Sequence, residues 1–382
     1  MRIGHFYKSL GRPCDGAGIA ALNLAKHQQL LGHEVFLYSW KPERYLHARD
    51  GFEIMDISEI FSLKGLRSKQ AMVLRSSIKS LDVFHLHAGY YGLETLLVAQ
   101  LASFMGIAYV YSPHGAFGFL NIKGEDLKKS VFRTILGLRF LNGAKWVHVF
   151  SPKDLSLLRR YGVKTRIKIF PNGITQRKHL SPDAPHWIDD LEHTGEGRIT
   201  LGFLGRIDIM VKGLDLLLEG LGVAINNYGI RNLHLLIAGP DWYGSIPILK
   251  DIAVKLGVSK NIKFLGEIPK EQVPHFFRQI DCLVISSRFE GFPLVFAEAC
   301  AFGCPVIVSK GSNVADLVRK YCVGLVADPF PKGFADAIKF GCEHPKLIAE
   351  MRENGKRLAQ KLSWEAIAEQ MCAAYQEAIN ER

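Results

Sequence analysis

What this sequence has little of narrows the field first. Its 382 residues contain no long hydrophobic run; stretches such as Leu96 to Ala99 fall far short of the roughly 20 residues a membrane-spanning helix needs. Only seven cysteines occur (14, 282, 300, 304, 322, 342 and 372), an odd number with no Cys-x-x-Cys pair. That pattern argues against a disulfide framework and a zinc site, and for reduced thiols in a cytoplasmic compartment. The opening residues, Met1-Arg2-Ile3-Gly4-His5-Phe6, read directly as a strand, so no signal peptide is expected. A complete dinucleotide fingerprint is also missing. Gly16-Ala17-Gly18 is followed by Ala20 and Ala21 where a third glycine belongs, and the loop from Lys8 is too long. These glycines read instead as a backbone-amide loop for an anion or a substrate.

What is present is ordinary for a soluble globular enzyme. Hydrophobic residues make up 48% and charged residues 22%, and the length calls for two domains rather than one. Charge is the informative total. Lysine and arginine number 48 against 37 aspartate and glutamate, a net of +11. Residues 1–175 hold 24 of the basic and 12 of the acidic groups, so they carry +12, and the rest of the chain carries −1. A basic first half suggests an acidic partner: an anionic membrane, an acidic glycan or nucleic acid. Two basic amphipathic helices are expected there, Phe61 to Ser80 and Lys123 to Leu141. The second either lies on a membrane surface or packs on the core with a solvated basic face.

Strands and helices alternate along the whole chain, the signature of parallel α/β layers. The first half offers strands at Ile3–Phe6, Val35–Tyr38, Val83–His87, Ala108–Gly115, Trp146–Phe150 and Ile167–Phe170, with a helix over Ile19–Leu31. The second offers Ile199–Gly205, Leu233–Gly239, Ile262–Gly266, Cys282–Ile285 and Val306–Val308. Helices over Lys346–Lys361 and Ser363–Ile379 close the chain, the last capped by Ser363. Pro171-Asn172-Gly173-Ile174 ends the first domain, and the polar stretch Gln176 to Gly197 reads as an excursion between domains. The expected architecture is two tandem, Rossmann-like, doubly wound α/β domains, 1–175 and 176–362. A ligand cleft is expected between their strand carboxyl ends.

One stretch organises the candidate chemistry. Ser286-Ser287-Arg288-Phe289-Glu290-Gly291-Phe292-Pro293 follows an apolar strand and opens a helix expected over Pro293–Phe302. A helix start after a glycine-containing turn presents unpaired N–H groups to an anion. Glu290 and Glu298, eight residues apart, flank it. Glu298 either lines the cleft or is a solvated helix residue, and its small apolar neighbours favour the cleft. Arg206 and Lys212 bracket a loop after the first strand of this half. They either hold a diphosphate or pair with Asp208 and Asp215 at the surface, and spacing leaves both readings open. In the first half His114 ends a strand at Pro113-His114-Gly115, where open α/β sheets bind ligands. His85 and His87 share a strand face. Two histidines could begin a metal site, but no third ligand lies at suggestive spacing, so they read as lining a cleft or the domain core.

These residues carry a resemblance. Gly205-Arg206…Lys212-Gly213-Leu214-Asp215, Ile237-Ala238-Gly239-Pro240-Asp241, Phe264-Leu265-Gly266, Ser287 to Pro293 with Glu298, and Gly303-Cys304-Pro305-Val306-Ile307 resemble the nucleotide-binding half of the family-4 retaining glycosyltransferases. Gly16-Ala17-Gly18, His85-x-His87, Pro113-His114-Gly115 and Leu362-Ser363-Trp364-Glu365 are similar to the rest of that family. The resemblance implies the GT-B fold, with a last helix, 363–382, crossing back to the first domain. It implies that Arg206 and Lys212 hold the donor diphosphate and stabilise the leaving group. Glu298 would bind ribose, while Glu290 and His114 would meet the transferred sugar. The main chain of Gly291, Phe292, Leu294 and Val295 would contact sugar and phosphate, and that around Leu265, Gly266 and Ile268 would read the base. The Asp15-Gly16-Ala17 loop would close over phosphate or acceptor; Ala17 stands where many relatives have a second glycine. His85 and His87 are the candidates for acceptor contact.

The expected activity is transfer of a hexose, with retention, from a nucleotide-diphosphate sugar, by family frequency UDP-glucose. No cofactor and no metal are expected. A lipid-linked saccharide or a growing glycan is the expected acceptor, met by a cytoplasmic protein resting on the inner face of the membrane. A sugar-nucleotide epimerase or an inverting transferase of the same architecture is the enzyme alternative. A nucleic-acid-binding protein is the rival of another class, unsupported by any recognised motif.

Overall fold

The fold, a computed structural model, is described for residues 1–10, 16–40, 48–49, 52–61, 68–88, 92–115, 137–175 and 198–381. Asp15 and most of the basic segment Lys123 to Leu141 lie outside these residues. The chain divides into two compact units, Met1–Gly173 with Leu362–Arg382, and Ile174–Lys361.

The first unit is built on an eight-stranded sheet. Its strands are β1 (Arg2–Tyr7), β2 (Glu34–Ser39), β3 (Ala48–Arg49), β4 (Phe52–Asp56), β5 (Val83–His87), β6 (Ala108–Ser112), β7 (Trp146–Val149) and β8 (Arg166–Ile169). They run in the order β3-β4-β2-β1-β5-β6-β7-β8, parallel throughout except the short β3–β4 pair. The buried apolar content of β1, β5, β6 and β7 reflects burial on both faces. One face is covered by α1 (Gly16–Leu30) and by the chain's final helix, Trp364–Asn380. There Ile3, Val83, Val110 and Trp146 of the sheet meet Trp364, Met371, Cys372 and Tyr375. The final helix therefore belongs to the first unit's core. Ser363 starts it by accepting from the Ala366 N–H at 3.2 Å. The opposite face packs on α2 (Lys69–Lys79) and α3 (Leu93–Phe104), around Phe6, Tyr38, Phe84, Leu86 and Val98.

The helix expected over Phe61–Ser80 is shorter in the structure. A 3-10 turn occupies Ile57–Phe61, and α2 begins only after Ser68, whose hydroxyl accepts from the Ala71 N–H at 3.0 Å. A serine cap fixes an N-terminus that periodicity alone cannot see. Conversely α1 starts at Gly16, three residues before the expected Ile19.

The second unit carries a six-stranded, all-parallel sheet. Its strands are β9 (Ile199–Leu204), β10 (Leu233–Ala238), β11 (Ile262–Gly266), β12 (Cys282–Ile285), β13 (Val306–Ser309) and β14 (Gly324–Ala327). They run β11-β10-β9-β12-β13-β14. The strand order reverses between β9 and β12, as it does between β1 and β5 in the first unit. Such switch points open a crevice at the strands' carboxyl ends. The four-residue edge strand β14, half-buried over most of its length, carried no signal that sequence reading caught.

Candidate functional site

In the second unit the loops after β9 and β12 meet at the switch point. After β9, Asp208 caps a one-turn helix, α5 (Ile209–Lys212), accepting from the Val211 N–H at 3.2 Å. Gly213 then turns left-handed (φ 62°) into α6 (Leu214–Asn226). A Cβ on Gly213 would sit 2.4 Å from the Ser286 carbonyl oxygen, so only glycine lets the two loops approach this closely. The Ser286 hydroxyl donates to the Lys212 carbonyl at 2.7 Å, and the Arg288 N–H donates to the Val211 carbonyl at 3.0 Å. Gly239, after β10, presses equally close on Gly205: its Cβ would lie 1.8 Å from the Gly205 oxygen.

This clamp fixes two ion pairs. Lys212 Nζ donates to Glu290 Oε2 at 2.5 Å, both side chains about four-fifths buried, and the Ser287 hydroxyl donates to the same oxygen at 3.0 Å. Arg288 grips Asp215 with two bonds of 2.9 and 2.6 Å, which holds its guanidinium charged. Neither pairing open from spacing is realised. Asp208 is spent on a helix cap, Asp215 takes Arg288, and Lys212 takes Glu290. Arg206 lies over the Trp242 ring, 4.9 Å from its centroid.

The helix after β12, α9, spans Leu294–Ala301, with Pro293 as its cap residue rather than its first helical residue. No side chain caps it, so the N–H groups of Leu294 and Val295 at its start have no intrahelical acceptor. Glu298 is half-buried on its second turn. The backbone of Glu290 pairs with Ser312, and the Asn313 N–H donates to the Glu290 carbonyl at 3.2 Å. Gly291 and Phe292 complete that loop, while Leu265 and Gly266 (φ 71°) end β11, three strands from β12, with Ile268 just beyond them. Sequence reading missed Trp242, the Arg288–Asp215 pair and the loop Gly311–Asn313. A tryptophan after Gly239-Pro240-Asp241 was the available signal for the first. A cavity of about 300 Å³ lies at the other end of this sheet, lined by Arg198, Asp281, Cys282 and Arg352 at the strand starts, away from these groups.

The first unit's switch point is filled by imidazoles. Register pairs His5 of β1 with His85 of β5 and Tyr7 with His87. The expected absence of a third histidine is thus corrected: His5 supplies it from the neighbouring strand. Ligand atoms of His5, His85 and His87 lie within 4.8 Å of one another. They do not converge on a point. His85 and His87 stack at 3.9 Å, and both His85 nitrogens are engaged, Nδ1 with Tyr375 at 2.5 Å and Nε2 with Ser112 at 2.6 Å. His85 and His87 are fully buried, which suits structural roles better than acceptor contact. Burial holds these rings neutral, pulling His5 and His148 down to about 4 and His85 and His87 well below the usual value. His114, half-buried, follows β6 in a left-handed conformation (φ 47°) and is hydrogen-bonded to His87 at 3.0 Å. Positive φ outside glycine is strained and is retained where surrounding contacts over-determine it. Gly16 and Ala17 open α1.

Two tandem Rossmann-like sheets, each with its chemistry-bearing residues at the switch point, define the GT-B class of α/β proteins. The profile described as glycosyl transferases group 1 matches residues 189–358, and that of glycosyltransferase family 4 matches residues 14–177. The chain belongs to the family-4 glycosyltransferases. Mannosylfructose-phosphate synthase of Agrobacterium fabrum is 29% identical over 57% of this chain and 49% of its own length. D-inositol 3-phosphate glycosyltransferase of Corynebacterium efficiens is 30% identical over 47% of this chain and 42% of its own. The matches span about half the length of these curated relatives or less. Among solved structures, Anabaena Alr3699/HepE in complex with UDP superposes with a TM-score of 0.78 at 17% identity, over 99% of this chain and 100% of that one. Sucrose-phosphate synthase from Thermosynechococcus elongatus gives 0.76 at 18% identity over the whole of both chains. No helix among the described residues is long and apolar enough to cross a membrane.

Proposed function

We propose that the chain is a retaining hexosyltransferase that takes a hexose from a nucleotide-diphosphate sugar and passes it to a lipid-linked or polysaccharide acceptor. The observation that carries this reading is the meeting of Lys212, Arg206 and the uncapped start of α9 at one switch point. Two cations and a helix N-terminus form a site for a diphosphate. Positive charge fixed there stabilises the charge that develops on a departing nucleoside diphosphate, with no metal ion called for. Trp242 holds the Arg206 guanidinium flat, so less freedom is lost on binding.

In this reading the Lys212–Glu290 pair does double service. The ammonium retains N–H donors for phosphate, and Glu290, held by Lys212 and Ser287, accepts from the sugar's hydroxyls. An already paired carboxylate is a poor nucleophile, which favours a positioning role and same-face attack over a glycosyl-enzyme intermediate. Glu298 binds ribose, the main chain from Leu265 to Ile268 reads the base, and His114 meets a hydroxyl of the transferred sugar. Gly16, Ala17 and Asp15 of the first loop contact phosphate or acceptor.

UDP-glucose is the proposed donor. HepE has been solved with UDP and with UDP-glucose, which supports uridine here. The +12 of residues 1–175 supports an acidic acceptor or an anionic membrane surface on the cytoplasmic side. The test is a turnover screen over UDP-, GDP- and ADP-sugars with EDTA present, reading hydrolysis or transfer, and proton NMR of the product's anomeric centre. Release of UDP with retained configuration is expected. Inversion would remove the retaining mechanism, and interconversion of the donor without transfer would favour the epimerase.

A further inference from the structure

The histidines of the first unit lie in two hydrogen-bonded arms that come together at Gln28, and the carbonyl at one end decides where every proton sits. One end is the Phe170 carbonyl, which only accepts. It takes His148 Nε2–H at 2.8 Å. Neutral His148 then has a bare Nδ1, which receives the Ser112 O–H at 2.7 Å. Ser112 has one proton, so its oxygen accepts from His85 Nε2–H at 2.6 Å. His85 Nδ1 is therefore bare and takes the Tyr375 O–H. With its proton used, the Tyr375 oxygen is an acceptor only. Gln28, fully buried on α1, is the group that turns toward Tyr375 and Cys372. Its amide N–H₂ must face them, although its nitrogen makes no hydrogen bond of normal geometry. That leaves the Gln28 carbonyl for His5.

The second arm follows. Gln28 Oε1 accepts from His5 Nε2–H at 2.7 Å, so His5 Nδ1 is bare. It receives His87 Nε2–H at 3.0 Å, so His87 Nδ1 is bare in turn and receives His114 Nε2–H at 3.0 Å. All members but His114 are buried in the first unit's core. Burial keeps the rings neutral, without which the assignment would not be unique. Proton positions here are assigned from the network, and a single amide orientation satisfies both arms.

We propose that Gln28 and Tyr375, acting through His5 and His87, are positioning residues that lock His114 as its Nε2–H tautomer and so present Nδ1 as a hydrogen-bond acceptor to a substrate hydroxyl. Among the described residues Nδ1 of His114 has no hydrogen-bond partner. The substrate assignment rests on the reading of His114 as a sugar contact; the tautomer assignment does not. The chain also gives the final helix a role at the site. Tyr375 comes from the final helix, so docking of that helix places the acceptor that the Gln28 amide nitrogen faces.

The test is long-range proton–nitrogen NMR of the full chain labelled with ¹⁵N-histidine, the His114 signals being assigned by their loss in His114→Gln. The wild-type protein should show a protonated Nε2 and a lone-pair Nδ1 at His114. Gln28→Met, which removes the acceptor at similar volume, should mix the two tautomers, and Gln28→Glu, which keeps an acceptor, should regain the single one. Turnover in Gln28→Met should fall about tenfold in kcat with KM for the donor within about twofold, the loss of one hydrogen bond made in the transition state. A protonated Nδ1 at wild-type His114 would overturn the proposal, and that measurement stands even if Gln28→Met fails to fold. An unchanged tautomer in folded Gln28→Met would overturn it too. The expected NMR pattern with no turnover of any nucleotide sugar would sink the transferase reading and leave the tautomer assignment in place.

Discussion

The two sheets share a topology and use it oppositely. Each reverses strand order once, between β1 and β5 and between β9 and β12, and each collects polar side chains at that reversal. In the second unit those side chains are charged and partly exposed: Lys212 with Glu290, Arg288 with Asp215, Arg206 on Trp242. In the first they are neutral and, but for half-buried His114, buried: five histidines, a serine, a glutamine and a tyrosine in two hydrogen-bonded arms that meet at Gln28. A switch point supplies a crevice and nothing more; charge suits it to hold an anion, and a neutral hydrogen-bonded network suits it to fix geometry.

Acid should separate the two most strongly. His5 and His148 are lowered to about 4 against a free value of 6.5. Well above pH 6.5 neither the folded nor the unfolded chain protonates them, and stability is unaffected. As pH falls from there toward 4 the unfolded chain takes up protons that the folded one refuses, so stability is lost as pH falls. The slope is about 1.4 kcal/mol per pH unit for each imidazole, on the order of 5 kcal/mol for the two together. Amide exchange on β1 and β5 should accelerate relative to β9 and β12 between about pH 7 and about pH 5, after correction for intrinsic rates. Equal loss in both sheets would show that the histidines are not held neutral.

Next in size is Lys212→Ala. It should cost about 2–4 kcal/mol of transition-state stabilisation, read as a fall in kcat/KM, and leave the first unit's exchange pattern untouched. Near-wild-type turnover would remove Lys212 from the chemistry.

Much of this contrast was legible beforehand, and the limits are physical. The loop from Ser286 to Pro293, the half-buried Glu298, and both parallel layers follow from apolar runs, glycines and a helix start. Period-two spacing also put His85 and His87 on one face. It could not bring in His5, because strand neighbours are chosen by packing across some 80 residues, not by local pattern. The same holds for Arg288 and Asp215, 73 residues apart, and for Tyr375 and His85, 290 apart. Helix starts slipped where a side chain decided them, as Ser68 does for α2.

Gly213→Ala tests the clamp that makes the second site. A left-handed φ and a Cβ 2.4 Å from the Ser286 oxygen should together cost about 2 kcal/mol. Thermal unfolding should show that loss, and nucleotide affinity should fall with it as the Lys212 and Glu290 loops part; full affinity in a destabilised protein would show that the loops bind independently. The smallest effect is expected from Trp242→Leu, which removes the ring beneath Arg206. About 0.5–1 kcal/mol of nucleotide affinity should go, read by titration, with no change in unfolding temperature beyond the lost packing. Unaltered affinity would mean that Arg206 does not need its platform.

The charged switch point of the second unit is the most direct thing to test as a diphosphate site. Titration calorimetry of the full chain with UDP in EDTA should give one-site binding that Lys212→Ala weakens at least tenfold, about 1.4 kcal/mol. No heat with UDP, GDP or ADP, or binding that Lys212→Ala leaves unchanged, would contradict it.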